Sequence, residues 1–269
     1  MNAPGARQPS IMVEKQMQAA PRYEVYDQFA WFYARGWGQD FHAQARGVLE
    51  NHVFPRLRAA ARVLDLCCGS GDLSRELLAH GYQVTGLDGS PEMLRYARQR
   101  VPEAEFLLED ARSFACEARF DAVLSTYDSL NHILSLEELE AVFANVFRAL
   151  VPGGLFFFDL NIEEAFATNW HWHYATVEED TVGVTRTSYD PAAKTGRADV
   201  TLFRLEEGLW RRSDVAVLER CYEREEVTGG LARARFVEVQ ARQAWELGMG
   251  GDSAVGREFF GALKPRLAE

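Results

Sequence analysis

Residues 63–72, Val63-Leu64-Asp65-Leu66-Cys67-Cys68-Gly69-Ser70-Gly71-Asp72, form an apolar run ending in a glycine turn, and Val84-Thr85-Gly86-Leu87-Asp88-Gly89-Ser90-Pro91 follows one helix length later. Glycines at the carboxyl edge of a parallel strand let the backbone approach a ligand closely. An acidic residue closing the next strand, Asp88, suits the two hydroxyls of a ribose. The pair reads as a nucleoside-cofactor site. A dinucleotide fingerprint needs Gly or Ala three residues after the second glycine, to bring the helix against the strand near a pyrophosphate. Ser74 stands there instead, and Asp65 precedes the turn. Further along, Thr126-Tyr127-Asp128-Ser129-Leu130-Asn131-His132-Ile133 is unusually polar for a segment where a doubly wound fold offers residues to a ligand. Within it His132 titrates near neutrality and can orient or deprotonate an amine or a hydroxyl, unless it is a helix-flanking histidine satisfied by the backbone. Asp128 and Asn131 can equally bind substrate or cap the turn.

These residues need a scaffold, and the surrounding pattern supplies one. Strand signals at 62–67, 82–88, 104–108, 119–125 and 154–160 alternate with helical signals at 71–80, 91–100 and 136–150. Such alternation predicts an α/β fold with a parallel sheet covered by helices on both faces. Ser90 with Pro91 marks one helix start, Ser135 with Glu138 reads as a capping box, and Val151-Pro152-Gly153-Gly154 stops the helix before it. Upstream, Tyr23, Tyr26, Phe29, Trp31, Phe32, Tyr33 and Trp37 precede an amphipathic run, which predicts a helical cap over 21–60. Residues 1–20 are polar and poor in apolar side chains, the composition of a mobile N-terminus. The core then occupies 61–165. Beyond it the pattern becomes three strands at 181–190, 197–206 and 209–220 with no helix between them, an antiparallel insertion within 166–221. Residues 222–269, with a short helix and strands at 236–245 and 257–263, complete the sheet.

The glycine turn with Asp65 before it, Ser74 after it and Asp88 beyond resembles the S-adenosylmethionine (SAM) site of class I methyltransferases, whose cofactor carries an amino acid in place of a pyrophosphate. The resemblance covers 61–159 and returns more weakly in 236–264. It implies a seven-stranded, Rossmann-like, mostly parallel sheet. It also implies that Gly69 and Gly71 lie against the methionine part of SAM with Asp65 near its amino group. By the same resemblance Asp88 beside Gly89 holds the ribose, Met93 packs on the adenine, Asp110-Ala111 reads the adenine edge, and Ser125 and Thr126 line the reactive end. The 126–133 segment resembles the S-x-x-H loop of small-molecule methyltransferases, especially amino-sugar N-methyltransferases. Those proteins also carry a tyrosine-rich cap and an antiparallel insertion after the fifth strand. Tyr127, Asp128 and Asn131 then become acceptor-binding candidates and His132 the catalytic one. Methyl transfer is an in-line displacement at a carbon on a cationic sulfur, so alignment and desolvation can supply most of the gain. Tyr23, Tyr26 and Tyr33 can close over that cation with their ring faces, or simply pack a cap helix.

Several function classes are set aside by composition. A net charge of -11 and a pI near 5.1 argue against a nucleic-acid partner, which ordinarily needs a basic face. The first 20 residues lack the apolar core of a signal peptide, and no run reaches the roughly 18 apolar residues of a membrane span, so a cytoplasmic protein with no membrane partner is expected. Cys67, Cys68, Cys116 and Cys221 contain no C-x-x-C pair and read as reduced thiols with no metal role. In Trp170-His171-Trp172-His173 an aromatic wall for the acceptor, built from Trp170 and Trp172, is favoured over metal chelation. An open meander edge invites a homodimer. The expected function is SAM-dependent transfer of a methyl group to N or O of a small-molecule acceptor. The rivals are an RNA or protein methyltransferase, a SAM- or S-adenosylhomocysteine-binding protein without turnover, and a nicotinamide oxidoreductase, the last disfavoured by Ser74 and Asp110-Ala111.

Overall fold

A computed structural model describes residues 22–37 and 39–266, with backbone only at 39 and 40. The expected mobile segment at 1–20 lies outside the described residues. The chain opens with α1 (Glu24–Phe32), a wide turn over Tyr33–Trp37 and α2 (Gln39–His52). It then alternates through β1 (Arg62–Leu66), α3 (Asp72–Ala79), β2 (Gln83–Asp88), α4 (Pro91–Arg100), β3 (Glu105–Leu108), β4 (Phe120–Ser125), α5 (Leu136–Ala149) and β5 (Leu150–Asn161). After α6 (Glu163–Asn169) come β6 (His173–Val177), β7 (Thr181–Asp190), β8 (Thr195–Glu206) and β9 (Leu209–Arg220). The sequence ends in α7 (Arg224–Arg233), β10 (Val237–Gln243) and β11 (Arg257–Leu263).

Seven strands form one sheet in the order β10-β11-β5-β4-β1-β2-β3, parallel except where β11 pairs antiparallel with β5 and with β10. The period-2 alternation of apolar residues sorts them onto two faces. Leu64, Leu66, Val123, Phe156, Phe158 and Phe260 bury toward α5 and α7, whereas Val63, Ala122, Leu124, Phe157 and Phe259 bury toward α2 and α3. Both faces are covered, which is why these strands are apolar throughout. Consecutive crossovers run in opposite directions from β1, so the strand order switches between β1 and β4. A crevice at the carboxyl ends of these strands is the expected ligand position.

The helix signals hold at both predicted starts. Ser90 Oγ accepts the Met93 N–H at 3.1 Å and Ser135 Oγ accepts the Glu138 N–H at 3.1 Å. The expected capping box at Ser135 is only half formed, because the Glu138 carboxylate is drawn to Arg22 and Arg112; a reciprocal box forms instead at Glu223 and Glu226. Two further differences follow from tertiary pairing. β5 begins at Leu150, where a strand was expected only from 154, through an irregular register with β4 that carries Gly153 at φ +81. The insertion has four strands, the extra one being β6, and is preceded by α6. This antiparallel sheet, β6-β7-β8-β9, folds back so that Val200, Leu202 and Val215 bury Phe29, Ala30 and Phe32 of α1 together with Met93 of α4. The cap helix is thereby clamped over the carboxyl edge of the main sheet. Among the described residues no helix is long and apolar enough to cross a membrane.

Candidate active site

A cavity of about 530 Å³ lies under α1, between the carboxyl ends of β1, β2 and β4 on one side and β9 on the other. That volume falls in the range of small-molecule sites. Cys67, Gly69, Asp88, Gly89, Met93, Ala111 and Arg112 line its floor, and Tyr23, Tyr26, Phe29, Tyr33 and Trp37 descend from the cap. Tyr127, Asp128, Ser129 and His132, with Val217, Leu218 and Glu219 of β9, close the far end.

Asp88 is fixed by the loops it joins. One carboxylate oxygen accepts the Gly69 N–H at 2.9 Å and the other the Ser90 N–H at 2.9 Å. Each oxygen keeps a further lone pair, and the residue is partly open to the cavity. Burial pushes its pKa up against those backbone donors. Glycine is required nearby: Gly69 sits at φ +52, and a Cβ on Gly89 would fall 2.0 Å from the Tyr23 ring. Two diol-sized acceptor positions beside a side-chain-free backbone fit a ribose, and the aromatic cap above them fits an attached cation.

The adenine-reading pair behaves differently from expectation in one member. Ala111 lines the cavity, but the Asp110 carboxylate pairs with Arg112 through both oxygens, at 2.8 and 2.7 Å, and does not line it. Burial alone raises Asp110; the Arg112 guanidinium overrides it and holds the carboxyl at about 2. Arg112 also donates to the Tyr23 hydroxyl at 3.2 Å, so Asp110 acts through Arg112 to seat the cap.

Other candidates lie behind the wall. Asp65 is buried and accepts from Ser74 Oγ of α3 at 2.6 Å; desolvation raises it to about 7, and it lies outside the cavity lining. Gly71, at φ +84, starts α3 and abuts Ala97 of α4, a packing role. Ser125 and Thr126 are buried at the end of β4 outside the lining. Asn131 is fully buried: its amide donates to the carbonyls of Asn161 and Arg220 at 2.9 and 2.8 Å and accepts from the Asn161 N–H, tying the loop to β5 and β9. It lies outside the cavity lining. Trp170 packs on Phe166 and Trp172 is 59% exposed with its indole on the Thr168 carbonyl, so the expected aromatic wall is not in the cavity. Trp170 is buried against Phe166, Cys221 and the meander, whereas Trp172 is exposed.

Asp128 lines the cavity but is committed to an ion pair with Arg257 at 2.9 Å. Asp159 accepts the N–H groups of Tyr127 and Asp128 at 2.8 and 3.0 Å and also pairs with Arg257. This network holds two consecutive non-glycine residues, Tyr127 and Asp128, at φ +65 and +48, a conformation that needs external support. It stacks the Tyr127 ring on Phe41 and aims the following turn at the cavity.

His132 ends that turn. Its Nδ1 lies 3.2 Å from the Leu218 carbonyl, which can only accept, so Nδ1 carries the proton and Nε2 presents its lone pair. Burial lowers its pKa and favours the neutral ring, with the Tyr26 ring edge-on at 5.7 Å. Nε2 is 3.8 Å from Glu219 Oε1. Glu219 of β9 and Arg257 of β11 were missed in the sequence because those strands carry no motif and only the fold brings them to this end; Arg112, one residue past the expected adenine pair, was not singled out, and Phe29 and Trp37 were read only as cap aromatics. The cavity cysteine, Cys67, is held as a thiol by burial and the carboxylates around it.

Residues 63–154 match the family model of a methyltransferase domain. The same span supplies Gly69, Asp88, Met93, Ala111 and His132. The chain is 33% identical over 148 residues to a dTDP-3-amino-3,4,6-trideoxy-alpha-D-glucopyranose N,N-dimethyltransferase of Streptomyces venezuelae, an alignment covering 55% of this chain and 60% of that protein. It spans 42% to 60% of the length of the first curated relatives it matches. Among solved structures, DesVI of Streptomyces venezuelae superposes with a TM-score of 0.70 at 26% identity, covering 91% of this chain and 99% of the other. The sugar N-methyltransferase KedS8 from Streptoalloteichus sp ATCC 53650 superposes at 0.72 with 22% identity, covering 88% and 93%. The methyltransferase domain, the cap and the meander therefore share one fold with these proteins.

Proposed function

We propose that the protein is a SAM-dependent methyltransferase acting on a nitrogen or oxygen of a small-molecule acceptor, with a nucleotide-linked amino sugar as the favoured class. The observation that carries the reading is Asp88: a carboxylate partly open to the cavity, at the carboxyl end of β2 beside the β1 glycine turn, flanked by Gly69 and Gly89. Asp88 would hold the ribose hydroxyls, Met93 and Ala111 the adenine, and Gly69 with Tyr33 the methionine part. SAM when bound supplies an electrophilic methyl carbon on a cationic sulfur. The protein's own contribution is to exclude water beneath α1, to surround the cation with Tyr26, Phe29 and Tyr33, and to present His132 Nε2 unprotonated toward the acceptor.

The amino-sugar class rests on the likeness to the Streptomyces amino-sugar N,N-dimethyltransferase and to the sugar N-methyltransferase KedS8. Walls on both sides of the cavity and the acidic charge of the chain support a small acceptor over RNA. Calorimetric titration with SAM and S-adenosylhomocysteine, followed by methyl transfer from labelled SAM to a dTDP-amino sugar, tests both levels. Micromolar cofactor binding with labelled product is expected. Failure to bind either cofactor overturns the reading, and tight binding without product across amines, alcohols and acids would indicate a non-catalytic binding protein.

A further inference from the structure

Four carboxylates line the cavity, and three are engaged by positive partners or backbone donors. Asp88 accepts two backbone N–H groups, Asp128 pairs with Arg257, and Glu138 pairs with Arg22 and Arg112. The fourth, Glu219, is 6% exposed and has no Lys or Arg within ion-pair distance among the described residues. Its Oε2 is buried without a hydrogen-bond partner. A buried acceptor left unmatched is costly, and in a native site it calls for an explanation.

The neighbour of Glu219 makes the mismatch sharper. His132 Nε2 lies 3.8 Å from Glu219 Oε1, and because Nδ1 carries the proton toward the Leu218 carbonyl, Nε2 is also an acceptor. Two acceptors face each other: the Asn161 side chain donates to the Glu219 carboxylate, yet among the described residues nothing donates to Glu219 Oε2 or to His132 Nε2. A single nitrogen about 2.9 Å from each would fit that span and offer a proton to both. A hydroxyl has one proton and can satisfy only one of the pair, whereas a protonated primary or secondary amine has at least two. Tyr26, edge-on to His132, walls the position from the cap side.

We infer that Glu219 and His132 together form a seat for the acceptor's amine, with Glu219 acting directly on the reacting nitrogen. This inference rests on the methyltransferase reading of the cavity and extends it to a residue outside the matched domain. An entering ammonium donates to Glu219 and to His132 Nε2. One N–H bond then breaks: the proton passes to the Glu219 carboxylate, which becomes a carboxylic acid, and the electron pair stays on the nitrogen, now a neutral amine with a free lone pair. The new O–H faces the Nε2 lone pair. Burial raises the proton affinity of Glu219 most, Asp128 and Asp159 add to it, and Arg257 with the Asn161 side-chain hydrogen bond works against it. A carboxyl whose proton affinity is raised takes a proton from the amine more readily than an ordinary carboxylate does.

The test uses the full chain saturated with S-adenosylhomocysteine, with cyclohexylamine and cyclohexanol as probes of equal shape, followed by NMR shifts of the His132 ring. Wild type is expected to bind the amine at least tenfold more tightly than the alcohol. Glu219→Gln should abolish that preference while its affinity for S-adenosylhomocysteine stays within twofold, a retention that also reports an intact fold. If the variant misfolds, Glu219→Asp, which keeps the charge but withdraws it, should retain the cofactor and weaken the amine preference by at least threefold. Equal amine preference in Glu219→Gln and wild type overturns the inference. So does the absence of any amine preference in a wild-type protein that holds S-adenosylhomocysteine, which leaves the cofactor reading standing. Loss of S-adenosylhomocysteine binding by wild type overturns the cofactor reading itself, and this inference with it.

Discussion

Arg257 and Asp128 stand 129 positions apart in the chain and 2.9 Å apart in space, both buried, with the Asp159 carboxylate on the same guanidinium and the Phe41 ring 4.6 Å beneath it. The last strand thus braces the loop that carries His132. Breaking a buried charged pair by removing one partner typically costs about 3–5 kcal/mol. Arg257→Met, which leaves two carboxylates uncompensated, should lower unfolding free energy by that amount in urea denaturation. A loss below about 1 kcal/mol would show that the network is not structural.

Asp88→Ala should weaken S-adenosylhomocysteine binding by about 100-fold, because hydrogen bonds to a charged group contribute roughly 1.5–3 kcal/mol each and every 1.4 kcal/mol is tenfold. Calorimetry reads this directly, with circular dichroism confirming the fold. A change smaller than fivefold would remove Asp88 from the cofactor site.

Asp65 predicts a pH signature. Burial raises its carboxyl from 3.8 to about 7, against the Ser74 hydrogen bond. A folded-state value above the unfolded one means that stability is fully present below pH 3.8 and is lost as pH rises toward 7. Relative to Asp65→Asn, wild type should therefore lose about 2.5 kcal/mol between pH 5 and pH 8, and little more above that. Urea titrations of both proteins at the two pH values check it; parallel pH profiles would contradict it.

His132→Ala should lower kcat by at least about 100-fold, the usual scale of acid-base participation. Burial keeps the His132 pKa under its ordinary 6.5, so the acid limb of kcat/KM should fall below that pH in wild type and flatten in the variant. Less than a tenfold loss of turnover would leave His132 a bystander.

Trp172→Ala should leave acceptor KM within twofold of wild type, since the side chain is exposed and outside the cavity lining. A larger KM effect in steady-state assays would return the 170–173 segment to the acceptor site.

Much of the scaffold was legible because each signal is local. The strand, glycine turn and helix of 62–79, the Ser90-Pro91 start and the apolar runs of β4 and β5 are encoded within windows of about ten residues, where periodicity and caps act. Errors fell where partners are distant. The Ser135 box lost Glu138 to Arg22 and Arg112, and β6 was unread because its exposed residues, His173, Tyr174 and Ala175, become a strand only by pairing with β7.

By itself the sequence determined an α/β domain with a parallel sheet, a ligand crevice at the ends of β1 and β2, and Asp88 and His132 as residues that face it, because strand polarity and the first turns after each strand dictate which side chains reach the carboxyl edge. Only the tertiary structure decided that Asp65, Asn131 and the Trp170–Trp172 pair lie outside the cavity, that Glu219 lines it and that Arg257 braces the loop behind it. A buried carboxylate finds its donor, or lacks one, according to which strands are brought alongside it, and those strands come from the far end of the chain.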